Sequence, residues 1–225
     1  MAGPPFVLDD PEPTDNGHWE IYAFANGTSA QDGSGGEAGL DLNHGEGPDL
    51  QLTAVLPVGY DTPPGGSFST GLGNVELAAK YRFLHQDTSG VDVAVFPRIF
   101  LPATSAAGGE QHVSFFLPIW LQKDWDAWSA FGGGGCEINN GGGAQDFCIG
   151  GAVLTREVTP NLRLGLEAYH QTADTRGGRA NTSVGLGGIY DLNQNYHLLA
   201  YANTGVQNRA ATNEASWYTA LLWTF

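Results

Sequence analysis

His112 and Ser114 stand two apart in His112-Val113-Ser114, a spacing that puts an imidazole base and a hydroxyl nucleophile on one face of an extended strand. A working pair also needs a third group to orient the imidazole, and no Asn on a neighbouring segment is placed to do so. The G-x-S-x-G elbow is missing too. His18, His44, His85, His170 and His197 are scattered one to a region without metal-ligand spacing. The Asp-rich loops carry no twelve-residue Ca2+ pattern. Hydrolysis is therefore the weakest chemistry here, and neither a cofactor nor a metal is expected.

The second chemistry is electrostatic. Glu20, Asp41, Glu76, Lys80, Arg82, Asp92, Arg98, Arg163 and Glu167 all fall on the polar face of alternating segments. In a closed barrel that face lines the lumen, where charges can guide and select solutes. They can equally pair with each other and fill a narrow interior. Tyr22, Phe24, Phe96, Phe116, Tyr169 and Tyr201 share the face, either as stacking surfaces for an apolar or aromatic solute or as filler.

Twelve alternating segments would position these groups. They span about 18–27, 36–44, 49–59, 74–83, 91–101, 112–121, 125–132, 147–157, 162–169, 181–190, 195–203 and 215–225. The fourth is the plainest, with Val75, Leu77, Ala79, Tyr81 and Phe83 set against Asn74, Glu76, Ala78, Lys80 and Arg82. The last sets Ala215, Trp217, Thr219, Leu221, Trp223 and Phe225 on one face, a poor edge for a soluble sheet. Short connections such as Gln122-Lys123-Asp124, Val158-Thr159-Pro160-Asn161 and Asp191 to Gln194 follow the even segments. Longer loops rich in Gly, Ser, Thr and Asn follow the odd ones. Trp19, Tyr81, Phe83, Trp125, Tyr190, Tyr196, Trp223 and Phe225 gather at the short-turn ends, as interface aromatics do in membrane barrels. A soluble sandwich, the competing architecture, would scatter them between core and rim.

Composition agrees. Charged residues are 15% of the chain, against roughly 25% in soluble domains, and Gly is 33 of 225. A mean hydropathy of −0.19, with no run near the ~18 apolar residues of a spanning helix, excludes a helical membrane protein. The net charge of −15 argues against nucleic acid as a partner. Cys136 and Cys148 flank a Gly- and Asn-rich loop on the long-loop side, which suggests a disulfide formed in an oxidising compartment.

Residues 1–16 carry Pro4, Pro5, Pro11 and Pro13 with Asp9, Asp10, Glu12 and Asp15, and no strand pattern. They form a tail, a lining of the mouth, or a plug anchored by Phe6 and Val7 whose acids meet Lys80, Arg82 or Arg98. Met1-Ala2-Gly3 lacks the charged and apolar regions of a signal peptide, as expected of a mature chain given a starting Met. The motif Gly3-Pro4-Pro5-Phe6-Val7, Asp9-Asp10-Pro11-Glu12-Pro13 and Gly17-His18-Trp19-Glu20 resembles the opening of the outer-membrane family named for the meta-pathway of phenol degradation. Phe225 resembles the terminal aromatic that the barrel-assembly machinery reads.

The expected fold is all-β: a transmembrane antiparallel barrel of twelve strands over 17–225, with short periplasmic turns and longer extracellular loops. The resemblance implies a monomeric Gram-negative outer-membrane channel for passive uptake of small hydrophobic or aromatic molecules. Its surroundings would be outer-membrane lipid and lipopolysaccharide. A sealed structural or adhesive surface barrel is the alternative. A lipid hydrolase is remote, because alternation turns His112 and Ser114 inward, away from lipid.

Overall fold

The computed structural model describes residues 4–102, 112–139, 141 and 143–225. Met1-Ala2-Gly3, the start of the N-terminal motif, lie outside the described residues. The backbone runs as β1 (Trp19–Ala30), β2 (Gly33–Glu46), β3 (Leu50–Thr62), β4 (Ser69–Leu72), β5 (Val75–Leu84), β6 (Asp92–Val95) and β7 (Arg98–Leu101). It continues as β8 (Ser114–Trp125), β9 (Trp128–Asn139), β10 (Phe147–Thr159), β11 (Leu162–Gln171), β12 (Asn181–Asp191), β13 (Tyr196–Gln207) and β14 (Ala215–Thr224). Two short helices, α1 (Gln86–Ser89) and α2 (Arg209–Thr212), sit in connections. Segments β4 and β5 form one wall strand broken at Gly73-Asn74, since both pair with β3. Likewise β6 and β7 both pair with β5 and β8, and Pro97, which has no donor, marks their break.

The wall is a closed antiparallel barrel of twelve strands. Closure is by β1 against β14, in register from Glu20↔Thr224 to Ser29↔Ala215. Among the described residues no edge is left for another chain to extend.

Period-two alternation decides which way each side chain points. In β8, Leu117 and Ile119 are 55% and 50% exposed while Phe116 and Trp120 are 8% and 1%. Leu52, Leu56, Leu77, Leu166, Leu186 and Leu198 lie on the same apolar outer surface. The band is far larger than a water-soluble monomer exposes, and it suits hydrocarbon. Inside, two packed clusters fill much of the barrel. One joins Leu8 to Phe96, Phe116, Trp120, Phe131, Val153 and Tyr169. The other joins Tyr22, Leu199, Ala220 and Leu222.

Two connections differ from expectation. β1 and β2 are joined by Gln31-Asp32 alone, because both strands run on through their Gly-, Ser- and Thr-rich ends. Thr28 Oγ1 and Ser216 Oγ, 2.7 Å apart, help carry β1 there. The turn expected at Gln122-Lys123-Asp124 lies instead at Asp126-Ala127, with Asp126 at φ 50°. Polar residues are allowed on the inward face near a wet mouth, so polarity alone misplaced that strand end. Cys136 and Cys148 form a disulfide across directly paired positions of β9 and β10. The bond therefore ties two wall strands where the 140–146 connection leaves them.

Candidate functional site

The lumen is built around residues 4–16. Prolines deny this stretch a ladder of its own, so its donors find partners on the wall or on its own carboxylates, as Asp10 N–H does on Asp9 and Glu12 N–H on Asp10. Leu8 N–H donates to Glu167 Oε1 at 2.8 Å and Val7 N–H to Glu167 Oε2 at 3.3 Å. Thr14 donates to Gln51 Oε1 through N–H at 2.9 Å and Oγ1 at 3.1 Å. Gln51 in turn belongs to a buried polar knot with Asn43 and Thr53. Leu8 is 1% exposed, and Pro5 and Pro11 are fully buried. Phe6 meets Phe131 and Tyr201 edge-on, with centroids 5.9 and 5.4 Å apart. Leu8, one residue beyond the expected anchor Val7, takes that role, since Val7 is 43% exposed.

A charge cluster holds the segment's middle. Lys80 Nζ lies 3.0 Å from Asp9 Oδ1 and 3.7 Å from Asp10 Oδ1, and donates to Glu12 O at 3.2 Å. Arg98 reaches Asp9 Oδ2 at 2.8 Å and Glu76 Oε1 at 3.6 Å. Lys80 and Arg98 also stand 5.0 and 4.2 Å from the Phe96 ring centre, and Arg98 lies 5.8 Å from that of Phe116. Burial pushes the Asp10 carboxyl up to about 7, despite Lys80 nearby. For Asp9 burial works the same way, but Lys80 and Arg98 together outweigh it and hold the carboxyl below its ordinary value.

Of the remaining predicted lumen charges, all on the inward face, Glu20 and Asp41 border the same small cavity as this cluster, and the others have partners elsewhere. Arg82 lies near Asp49 and Asp92, at 3.5 and 3.8 Å, rather than near the N-terminal acids. It sits on the turn side of Lys80, one inward position further along β5. Arg163 pairs with Glu157 at 3.2 Å. Glu20 accepts from Tyr22 Oη at 3.0 Å and Asp41 from Asn43 at 2.8 Å. Glu167 also accepts from Tyr201 Oη.

Among the aromatics, Phe24 stacks on Tyr218 at 6.2 Å and Tyr169 Oη donates to Asn203 at 3.4 Å. Tyr22, Phe96, Phe116, Tyr169 and Tyr201 are all buried. Trp120 and Phe131 belong to the same core and were legible only as alternation, Phe131 in the least regular segment. Trp19, Tyr81, Phe83, Trp125, Tyr190, Tyr196, Trp223 and Phe225 all face outward. Trp223 stacks on Phe225 at 4.2 Å and on Tyr196 at 6.3 Å. Ser114 opens β8 facing inward, whereas His112 precedes the strand and is exposed, so the alternation relating them is broken.

Cavities adjoin the segment. One of about 300 Å³ lies between Phe6, Phe131 and the β8–β9 turn. Another of about 110 Å³ lies among Leu8, Asp41, Glu76, Lys80 and Arg98. A third of about 370 Å³ opens at the mouth beside Asp15, His18 and Phe225.

Gly165 makes room for the seated segment. A Cβ there would lie 2.6 Å from Phe6 Cζ and 2.7 Å from Thr155 Cγ2. Gly165→Leu is expected to expel the Phe6 ring at a cost of about 1–3 kcal/mol. Hydrogen exchange at the Val7 and Leu8 amides should speed up about tenfold or more; unchanged protection would show that Phe6 does not depend on the gap.

The family model described as "Putative MetA-pathway of phenol degradation" matches residues 20–220. The chain belongs to that family. Its barrel is similar to an outer membrane channel from Pseudomonas putida F1, with a TM-score of 0.80 at 12% identity, covering 96% of this chain and 98% of that one. The NanC porin is similar at TM-score 0.61 and 9% identity, over 91% of this chain and 98% of that one. The translocator domain of the autotransporter NalP from Neisseria meningitidis follows at 0.52 and 11%, over 94% and 89%. No curated protein sequence matches the chain. For this family member the shared feature is therefore the barrel; the chemistry of its lumen has to be argued from its own residues.

Proposed function

We propose that this protein is an outer-membrane channel for passive uptake of small hydrophobic or aromatic molecules, held closed at rest by its N-terminal segment. The observation that carries this reading is the seat of residues 4–16 across the lumen, pinned by Lys80 and Arg98 and flanked by cavities. A segment held by side chains rather than by a ladder can leave without unravelling the wall. Aromatic and apolar groups alternate with charges on the inward face, which suits a solute with little polarity of its own. The family match and the channel and porin among similar barrels favour transport over catalysis. On this reading the apolar band meets outer-membrane lipid and lipopolysaccharide, the C-terminal strand engages the assembly machinery, and the barrel works as a monomer.

The test is planar-bilayer conductance of the full chain and of a form lacking residues 1–12, with phenol uptake into liposomes in parallel. Deletion is expected to raise conductance several-fold and to speed phenol entry. A second reading, a sealed surface barrel, has the packing of Phe116, Trp120, Phe131 and Tyr201 in its favour. Neither current nor phenol entry from either form would establish it instead.

A further inference from the structure

The first hold of the N-terminal segment is built like the seat of a small molecule. The Phe6 ring stands edge-on to Phe131 of β9 and Tyr201 of β13, with centroids 5.9 and 5.4 Å away. Gly165 of β11 leaves a gap for its tip, since a Cβ there would come within 2.6 Å of Phe6 Cζ. Glu167, buried on the same strand, receives the chain that follows. Its Oε2 accepts from Val7 N–H at 3.3 Å and from Tyr201 Oη, and its Oε1 accepts from Leu8 N–H at 2.8 Å.

This hold can be exchanged for another. Phe6 is half-buried and Val7 exposed, whereas Leu8 is buried and Asp9 is clamped by Lys80 and Arg98. The segment can therefore lift as far as Val7, uncovering Pro5, while Leu8 and the residues after it stay seated. The bond given up is the longer of the two amide bonds to Glu167. The cavity of about 300 Å³ beside the β8–β9 turn reaches Phe6, Phe131 and Thr155, which gives a solute a way to the slot.

We propose that this slot binds one-ring aromatic molecules with a hydroxyl or amide donor on an arm of propyl length, which take the places of the Phe6 ring and the Val7 N–H. The ring enters the gap at Gly165 between Phe131 and Tyr201. The donor goes to Glu167 Oε2, which Tyr201 continues to hold. The arm length follows from the chain it replaces: Cβ, Cα and the carbonyl carbon separate the Phe6 ring from Val7 N. The hydroxyl of a phenol would stand at the Cβ position, short of where Val7 N meets the carboxylate. The proposal rests on the segment being the channel's closure, and it makes the solute itself loosen the segment from its first residues.

The test is titration of the full-length protein in detergent with 3-phenylpropan-1-ol and its methyl ether, read by calorimetry and by amide hydrogen exchange. Wild type is expected to bind the alcohol saturably and about tenfold tighter than the ether, which has no donor for Glu167. At saturation, exchange should quicken about tenfold or more at Val7 while Leu8 keeps its protection. Phe6→Ala vacates the slot and leaves Val7 on Glu167. That variant should bind both probes alike, about tenfold tighter than wild type binds the alcohol, since no ring has to be displaced. Gly165→Leu, which fills the gap, should abolish the binding. Equal affinity of wild type for the two probes, an unchanged Val7 amide, or binding that survives Gly165→Leu would overturn the slot. The binding pattern with no current or phenol entry, with or without residues 1–12, would keep the slot and sink the channel. Conductance that rises on that deletion, with no saturable binding of the alcohol, would do the reverse.

Discussion

Lys80→Met is expected to weaken the seating of the N-terminal segment by about 3–5 kcal/mol at pH 8, because it strands the buried Asp10 carboxylate. Lys80 is 2% exposed, Asp10 is fully buried, and after the substitution Arg98 remains as the cation paired with Asp9. The readouts are faster amide exchange at Val7 and Leu8 and more frequent opening in planar bilayers. Wild-type exchange and conductance would show that the charges are passive filler. A pH series sharpens the test. The Asp10 carboxyl is pushed up to about 7 when seated, against 3.8 when released. Seating therefore takes up a proton, weakens as pH rises from 3.8 toward 7, and levels off above that. Asp9 works in the opposite sense, since its carboxyl is held below 3.8. Its contribution is lost only as pH falls through that lowered value. In Lys80→Met the penalty should shrink on acidification, because a protonated Asp10 needs no cation.

Gly133→Val carries the largest expected effect on the wall itself. Gly133 sits in the run Gly132-Gly133-Gly134-Gly135 of β9 with φ +140°, a region that L side chains rarely adopt and that costs about 1–3 kcal/mol. A Cβ there would lie 2.2 Å from Ile119 O and 3.3 Å from Trp120 Cα, both backbone atoms that cannot swing aside. Strain and overpacking together should cost about 3 kcal/mol or more. Urea unfolding in lipid, followed by the gel shift of heat-treated samples, measures it. A midpoint within error of wild type would mean that β9 can slip past its neighbour. Because Trp120 lies opposite Gly133 and packs with Leu8, partial survivors should also hold the N-terminal segment more loosely.

The barrel was legible because its signal is local. Leu117 and Phe116 differ in environment by one step along a strand, and a period of two survives without knowledge of the partner strand. The same rule placed Lys80, Arg98 and Glu167 inward and Trp223 and Phe225 outward. It failed where polarity has two causes. Gln122 and Asp124 looked like a turn but are inward side chains at a wet mouth, and the Gly- and Ser-rich ends of β1 and β2 looked like a loop but are paired strand.

The sequence by itself determined the alternation, the even strand count and, except at the two-residue β1–β2 connection, the side that carries the shorter turns, since each depends on residues close in the chain. Only the tertiary structure decided what occupies the lumen. Leu8 N–H and Glu167 meet across 159 positions, and Asp9 and Arg98 across 89. An irregular, proline-rich segment has no period to announce its partners. Its place is set by which wall donors, acceptors and gaps, such as Gly165, face it once the barrel has closed.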